Sequence, residues 1–186
     1  MRNLKRLYKY FLCLFMIASH LLYSNIENVF TEMNTNGDVV SVWQNDFYAG
    51  NFEIEASILP VTGSWSTLST ISSGSGGVNA LYPKVAINNS SNIVAIWSAY
   101  NTAIFSYSLY GATWDAINGW SAPAQVSTNN EHVFSNYQVK LSDTNDVVIV
   151  WNGISLLTYI SVVRSVVGSF GSISGGVWPS PTTVSP

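Results

Sequence analysis

Apolar and polar residues alternate along this chain in short blocks that return at a fixed interval. Three apolar runs, at 39–43, 93–97 and 147–151, each end on a tryptophan, and Trp43, Trp97 and Trp151 are equally spaced. Self-similarity at a period of about 50 residues marks a chain built from copies of one supersecondary unit. Aligned on these tryptophans, residues 31–43, 85–97 and 139–151 superpose without a gap.

The pattern predicts four short strands in each unit. The first reads Val85-Ala86-Ile87 in the second copy and Val139-Lys140-Leu141 in the third, apolar at alternate positions as a strand with one buried face requires. A polar turn follows: Asn34-Thr35-Asn36-Gly37-Asp38, Asn88-Asn89-Ser90-Ser91-Asn92 or Ser142-Asp143-Thr144-Asn145-Asp146. Asn, Asp and Gly suit tight hairpins because they tolerate positive φ and bond their own backbone. In the second strand Val39, Ser41 and Trp43 alternate with Val40 and Val42, and the later copies are also apolar on both faces. Such a strand is expected to be covered on both sides.

The third strand falls at 52–59, 103–109 and 158–166, and its first copy sets Glu53 and Glu55 against Phe52 and Ile54, which predicts one wet face. The fourth starts at a second tryptophan, in Gly63-Ser64-Trp65-Ser66, Asn118-Gly119-Trp120-Ser121 and Gly176-Val177-Trp178-Pro179. It runs on to Ile71-Ser72, Val126-Ser127 and Val184-Ser185. The interval between the two tryptophans of a unit lengthens from Trp43–Trp65 through Trp97–Trp120 to Trp151–Trp178, which places the length variation in the loop before the fourth strand.

Four short antiparallel strands in one repeat describe a blade of a β-propeller. In its strand, Asn/Asp/Gly turn, Trp-ended apolar strand and later Gly-Trp-Ser, the chain resembles the propeller-type repeats of secreted bacterial proteins. The resemblance implies an all-β fold of about three four-stranded antiparallel blades, in units at about 29–72, 83–127 and 137–185. Closed propellers have about four to eight blades, so three predict an incomplete, open propeller. Its end faces need caps or partners. A longer gene product, a homodimer completing a six-bladed ring, and an open arc each meet that need.

Composition adds a leader. Arg2, Lys5, Arg6 and Lys9 precede an apolar run from Tyr10 to Ala18, the layout of a secretory signal peptide over residues 1–24, with the repeat domain from 25 to 186. The expected location is secreted, periplasmic or cell-surface. The run falls short of the roughly 20 apolar residues of a membrane helix, so no stable span is expected after cleavage. Behind the leader, Lys84, Lys140 and Arg164 face ten acids, a net charge of −7 and a poor match to nucleic acid. Cys13, the sole cysteine, lies in the leader, which excludes a disulfide. Seven Trp, ten Tyr and eight Phe point to a buried core despite a charged content of 9%.

Candidate chemistry is sparse. Trp43, Trp97 and Trp151 are expected in the core, and Trp65, Trp120 and Trp178 packed with partial exposure. The turns at 34–38 and 143–146 offer oxygens but lack the Asp-rich loop with a distal bidentate Glu that calcium favours; self-bonding Asx side chains account for them, and no metal or cofactor is expected. Sialidases, which such repeats loosely resemble, clamp a substrate carboxylate with several arginines. Only Arg164 follows the leader here, and the Ser-x-Asp-x-Gly-x-Thr-Trp string is absent. Asp46, Glu53, Glu55, Asp115 and Glu131 show no pairing suited to glycosidase chemistry and are expected as solvated surface acids. No Gly-x-Ser-x-Gly elbow accompanies His132.

In a propeller the loops after the second strand and between blades share one rim. That rim is expected to display Asn45 and Asn130 and, as candidate ligand-binding residues, Asp46, Tyr48, Tyr100, Asn101, Glu131 and His132. Tyr and Asn make adaptable contact surfaces. The reading is a secreted, non-enzymatic module binding a glycan or a protein through these loops. The alternatives are a degenerate or partial sialidase-type hydrolase, or a truncated product with no independent function.

Overall fold

The computed structural model describes residues 25–48, 51–73, 77–157, 160–173 and 177–185. The leader expected at 1–24 lies outside them, and no helix among the described residues is long and apolar enough to cross a membrane. Among the described residues three antiparallel sheets follow one another along the chain. The first contains β1 (Asn25–Met33), β2 (Val39–Tyr48), β3 (Asn51–Leu59) and β4 (Ser69–Thr70), in that order. The second contains β5 (Gly77–Ile87), β6 (Ile93–Asn101), β7 (Ser106–Asp115) and β8 (Gly119–Trp120), with β9 (Ala124–Gln125) also on β7. The third sets β10 (Glu131–His132) and β11 (Tyr137–Leu141) along β12 (Asp146–Ser155), then β13 (Ser161–Ser169) and β14 (Thr182–Ser185). One helical turn, Phe170–Ile173, follows β13. The all-β, blade-like architecture is the expected one.

The sheets stack through the Trp-ended strands. Val40, Val42, Ile54 and Ala56 of the first sheet share a core with Ile93, Ala95, Trp97 and Ala99 of the second. Val94, Ile96 and Leu109 on the other face of the second sheet share a core with Val147, Ile149 and Trp151 of the third. Strand β6 is therefore buried on both faces, as its doubly apolar sequence requires. Strand β12 is not: Val148, Val150 and Ile154 alternate with its buried residues and stand 37%, 37% and 42% exposed. Among the described residues no sheet follows to cover them, which corrects the expectation for the third copy.

The repeat is written into the turns as well. Gly37, Ser91 and Asn145 all take positive φ, at 98°, 60° and 66°. Asn34 Oδ1 accepts from the Gly37 and Asp38 amides, and Asn88 Oδ1 from those of Ser90 and Asn92. Each turn also grips the next. Asn34 Nδ2 donates to the Asn88 carbonyl (2.9 Å) and Asn88 Nδ2 to that of Ser142 (3.1 Å). Thr35 N donates to Asn89 Oδ1, and Asn89 N to Asp143 Oδ1. This Asx ladder engages the turn oxygens, Asp143 accepting from Asn89 at both carboxylate oxygens.

The fourth strand is more broken than its pattern predicts. Gly63–Ser66 forms no strand, and in the first two sheets the edge consists of two-residue pieces. Serines hold it in place. Ser66 N donates to the Ile58 carbonyl while Ser66 Oγ accepts from the Ile58 amide, and Ser121 repeats this with Thr113. Ser72 Oγ accepts from Ile54 N, and Ser127 Oγ from Leu109 N. A hydroxyl thus replaces the missing carbonyl of the ladder, satisfying amides that burial would otherwise orphan. The recurring Trp-Ser and Ile/Val-Ser pairs have this physical meaning.

Close approach explains one glycine. A Cβ on Gly111 would lie 2.7 Å from Cζ2 of Trp178 and 3.1 Å from the Ala95 carbonyl oxygen. Gly111→Ala is expected to lower stability by about 1–3 kcal/mol through overpacking, measured as a shift in the denaturant midpoint. An unchanged midpoint would show that Trp178 does not seat on the second sheet.

Candidate functional site

At the β6–β7 end of the second sheet, five rings from three segments form one continuous array. Tyr100 is the last residue but one of β6 and Tyr107 the second of β7, directly across from it, with centroids 5.4 Å apart at 71°. Phe134 meets Tyr107 edge-on at 5.0 Å, and Tyr82 meets Phe134 edge-on at 5.1 Å. The imidazole of His132 lies 5.9 Å from Tyr107 and stacks on Phe134 at 6.2 Å and 9°. The pairs fall in the range of favourable aromatic geometries. Phe134 is 40% exposed and the other four are half-buried, so the array is wet on one side and fixed on the other.

The backbone beneath is braced. Val133 N donates to the Tyr107 carbonyl (2.8 Å), and Ser106 Oγ lies 2.9 Å from His132 Nδ1. Tyr82 sits at φ 54°, uncommon for a bulky residue. Its carbonyl lies 2.5 Å from the hydroxyl of Tyr137, a buried side chain that also accepts from the Ser98 amide. Burial pushes the Tyr137 hydroxyl far above the ordinary tyrosine range, so it stays a donor. Strain at Tyr82 is therefore sustained by a hydrogen bond from the third sheet.

The expected site residues separate here. Tyr100 and His132 come together in the array. Asn101 is buried at its edge and builds the turn: its Oδ1 accepts from the Ala103 amide, and its Nδ2 donates to Gln125. Glu131 is 1% exposed, not displayed on the rim. Its Oε2 accepts from Trp151 Nε1 at 3.1 Å and its Oε1 from Arg164 Nε at 2.5 Å. Asp46, half-buried, lies on β2 between Asn25 and Phe52. Tyr48 ends β2, and its side chain lies outside the described residues. Asn45 is buried and Asn130 exposed.

Two acids expected in solvent are internal. Besides Glu131, Glu55 is 3% exposed, because Trp43 stands directly opposite and donates its indole N–H to Glu55 Oε2 at 2.7 Å. The wet face expected of β3 is therefore closed. Asp115 does sit at the surface, where hydrogen bonds from the Asn118 side chain and backbone hold its carboxyl below the usual carboxylate range. Arg164, occupied by Glu131 and by Thr183 Oγ1, is a strut within the third sheet. The sequence pattern does not single out Tyr82, Ser106, Tyr107 or Phe134. For Tyr107 a clue exists in its strand register with Tyr100; for Tyr82 and Phe134 there is none, since only the stacking of sheets brings them together.

No protein-family model matches the chain, and no curated protein matches it in sequence. Solved structures do share its fold. A Hadza microbial sialidase superposes with a TM-score of 0.54 at 13% identity, over 86% of this chain and 37% of its own. A polysaccharide lyase gives 0.54 at 10% identity, over 87% and 40%. An N-acetylgalactosamine deacetylase from F. plautii, solved with blood group B trisaccharide, gives 0.53 at 11%, over 87% and 52%. The chain thus spans between 37% and 52% of the length of these neighbours. All three are enzymes, so the expectation of a non-enzymatic module is overturned and withdrawn. At such identities the likeness is one of fold: the chain has the propeller-like sheet stack found in carbohydrate-active enzymes.

Proposed function

We propose that this chain is the glycan-contacting part of an exported carbohydrate-handling propeller, with the Tyr82–Tyr100–Tyr107–His132–Phe134 array as its contact surface. The array itself carries the reading. Ring faces suit the C–H faces of sugars, and half-buried rings lose little freedom when a ligand docks. Ser106 holds His132 Nδ1, which leaves Nε2 as the imidazole nitrogen for a sugar hydroxyl. The fold's occurrence in carbohydrate-active enzymes supports the same class of ligand. Export rests on the leader at residues 1–24.

Purified chain lacking residues 1–24 is screened on a glycan array, and hits are titrated by calorimetry. Tyr107→Ala and His132→Ala are expected to weaken binding by about three- to tenfold each, the value of an aromatic contact. Hits that bind both variants as well as the parent chain would remove the array from the function.

A further inference from the structure

A concave site lies toward the far end of β7 from the array, in the groove between the first and second sheets. It has a volume of about 370 Å³ and is lined by Ile58, Pro60, Ser64, Ser66, Thr67, Ser69, Trp114 and Trp120. Trp114 and Trp120 are cross-strand partners on β7 and β8, half-buried and packed against the first core. The wall facing them belongs to the segment between β3 and β4, where Ser64 and Thr67 are exposed.

The two sheet interfaces differ in several residues, and one difference lies where a tryptophan packs on the preceding sheet. At the second interface Trp178 settles onto Gly111, in a place where a Cβ would approach its ring to 2.7 Å. Register makes Ala56 the counterpart of Gly111: Ala56 pairs with Val42, and Gly111 with Ile96, the same position one repeat later. Trp120, the counterpart of Trp178, is packed against the core that holds Ala56 and also lines the groove. The groove has indole on one side and hydroxyls on the other.

We infer that this groove is a binding site for a small neutral saccharide, separate from the aromatic array at the β6–β7 end. Fixed indoles offer a stacking platform, and hydroxyl side chains match sugar hydroxyls. No lining residue carries an ionisable side chain, so an acidic sugar would find no cation there, in a chain whose net charge behind the leader is −7. The volume lies at the lower end of ligand pockets, about 300–1,000 Å³, which fits a short saccharide and not a long chain. The inference does not need the array to bind anything.

Intrinsic tryptophan fluorescence of the chain lacking residues 1–24 is titrated with maltose, cellobiose and lactose. At least one is expected to give a saturable change. Trp120→Ala should weaken it about tenfold. Because that truncation also disturbs packing, Ser64→Arg serves as the second variant: it fills the mouth of the groove from an exposed position and should abolish the response in a folded protein. Tyr107→Ala should leave it intact, which separates this site from the array. The inference is overturned by absence of a saturable response to all three sugars, by a response that survives Ser64→Arg, or by one that disappears in Tyr107→Ala.

Discussion

Glu131→Ala is expected to lower the unfolding free energy by about 3 kcal/mol, the low end of the range for breaking a buried ion pair. The carboxylate holds Trp151 Nε1 and Arg164 Nε at once, so its loss strands an indole N–H and a guanidinium together. Arg164 is 25% exposed and also reaches Thr183, which lets water and that hydroxyl recover part of the loss and sets the value below that of a fully enclosed pair. Small domains hold only about 5–15 kcal/mol in all, so the change should be plain in urea or guanidinium midpoints. Glu131→Gln keeps one acceptor and should cost less. A midpoint within error of the parent for Glu131→Ala would mean that the third sheet does not depend on this network.

Trp97→Ala is expected to cost about 3–5 kcal/mol, since a completely buried indole at the centre of the stack leaves a cavity that packed neighbours cannot close. The phenylalanine variants sharpen the argument. Trp43 donates to Glu55 and Trp151 to Glu131, whereas the Trp97 Nε1 is buried without a partner. Trp43→Phe and Trp151→Phe each deprive a buried carboxylate of a donor and should cost about 1–2 kcal/mol more than Trp97→Phe, which removes a polar atom that had no partner. Equal losses at the three positions, read from chemical denaturation, would contradict the assigned indole bonds.

The contrast among the three tryptophans shows how the repeat is both kept and altered. The position opposite each indole is Glu55, Tyr110 or Arg164. In the first sheet the acceptor comes from across the strand pair. In the third, that place holds a cation, and the acid arrives from Glu131 on β10. In the second it holds Tyr110, a buried phenol whose pKa burial raises, and the indole goes unpaired. An alternating Glu in a strand is thus a misleading sign of exposure: alternation counts charge, but a single donor across the ladder is enough to bring a carboxylate inside.

Much of the architecture is legible from residues alone because its causes are local. The Asn-rich turns, the doubly apolar strands and the Trp interval depend on φ preferences, period-two burial and repetition, all of which act within one unit. The break-up of the fourth strand is not legible, since serine hydroxyls that replace carbonyls leave the same polar signature as an ordinary loop. Tyr100 and His132 are visible as rim residues. Their neighbours Tyr82, Tyr107 and Phe134 come only with the fold, and Asn101 and Glu131, equally polar in sequence, turn inward.

That three like sheets form, and that the Trp-ended strands carry the core, follows from the chain's own residues, because side-chain alternation and turn chemistry are properties of each segment. Which polar groups are enclosed, which rings meet at the β6–β7 end, and which residues line the groove between the first two sheets are matters of stacking. They depend on how one sheet lies on the next, and such distances arise between neighbouring units rather than within either of them.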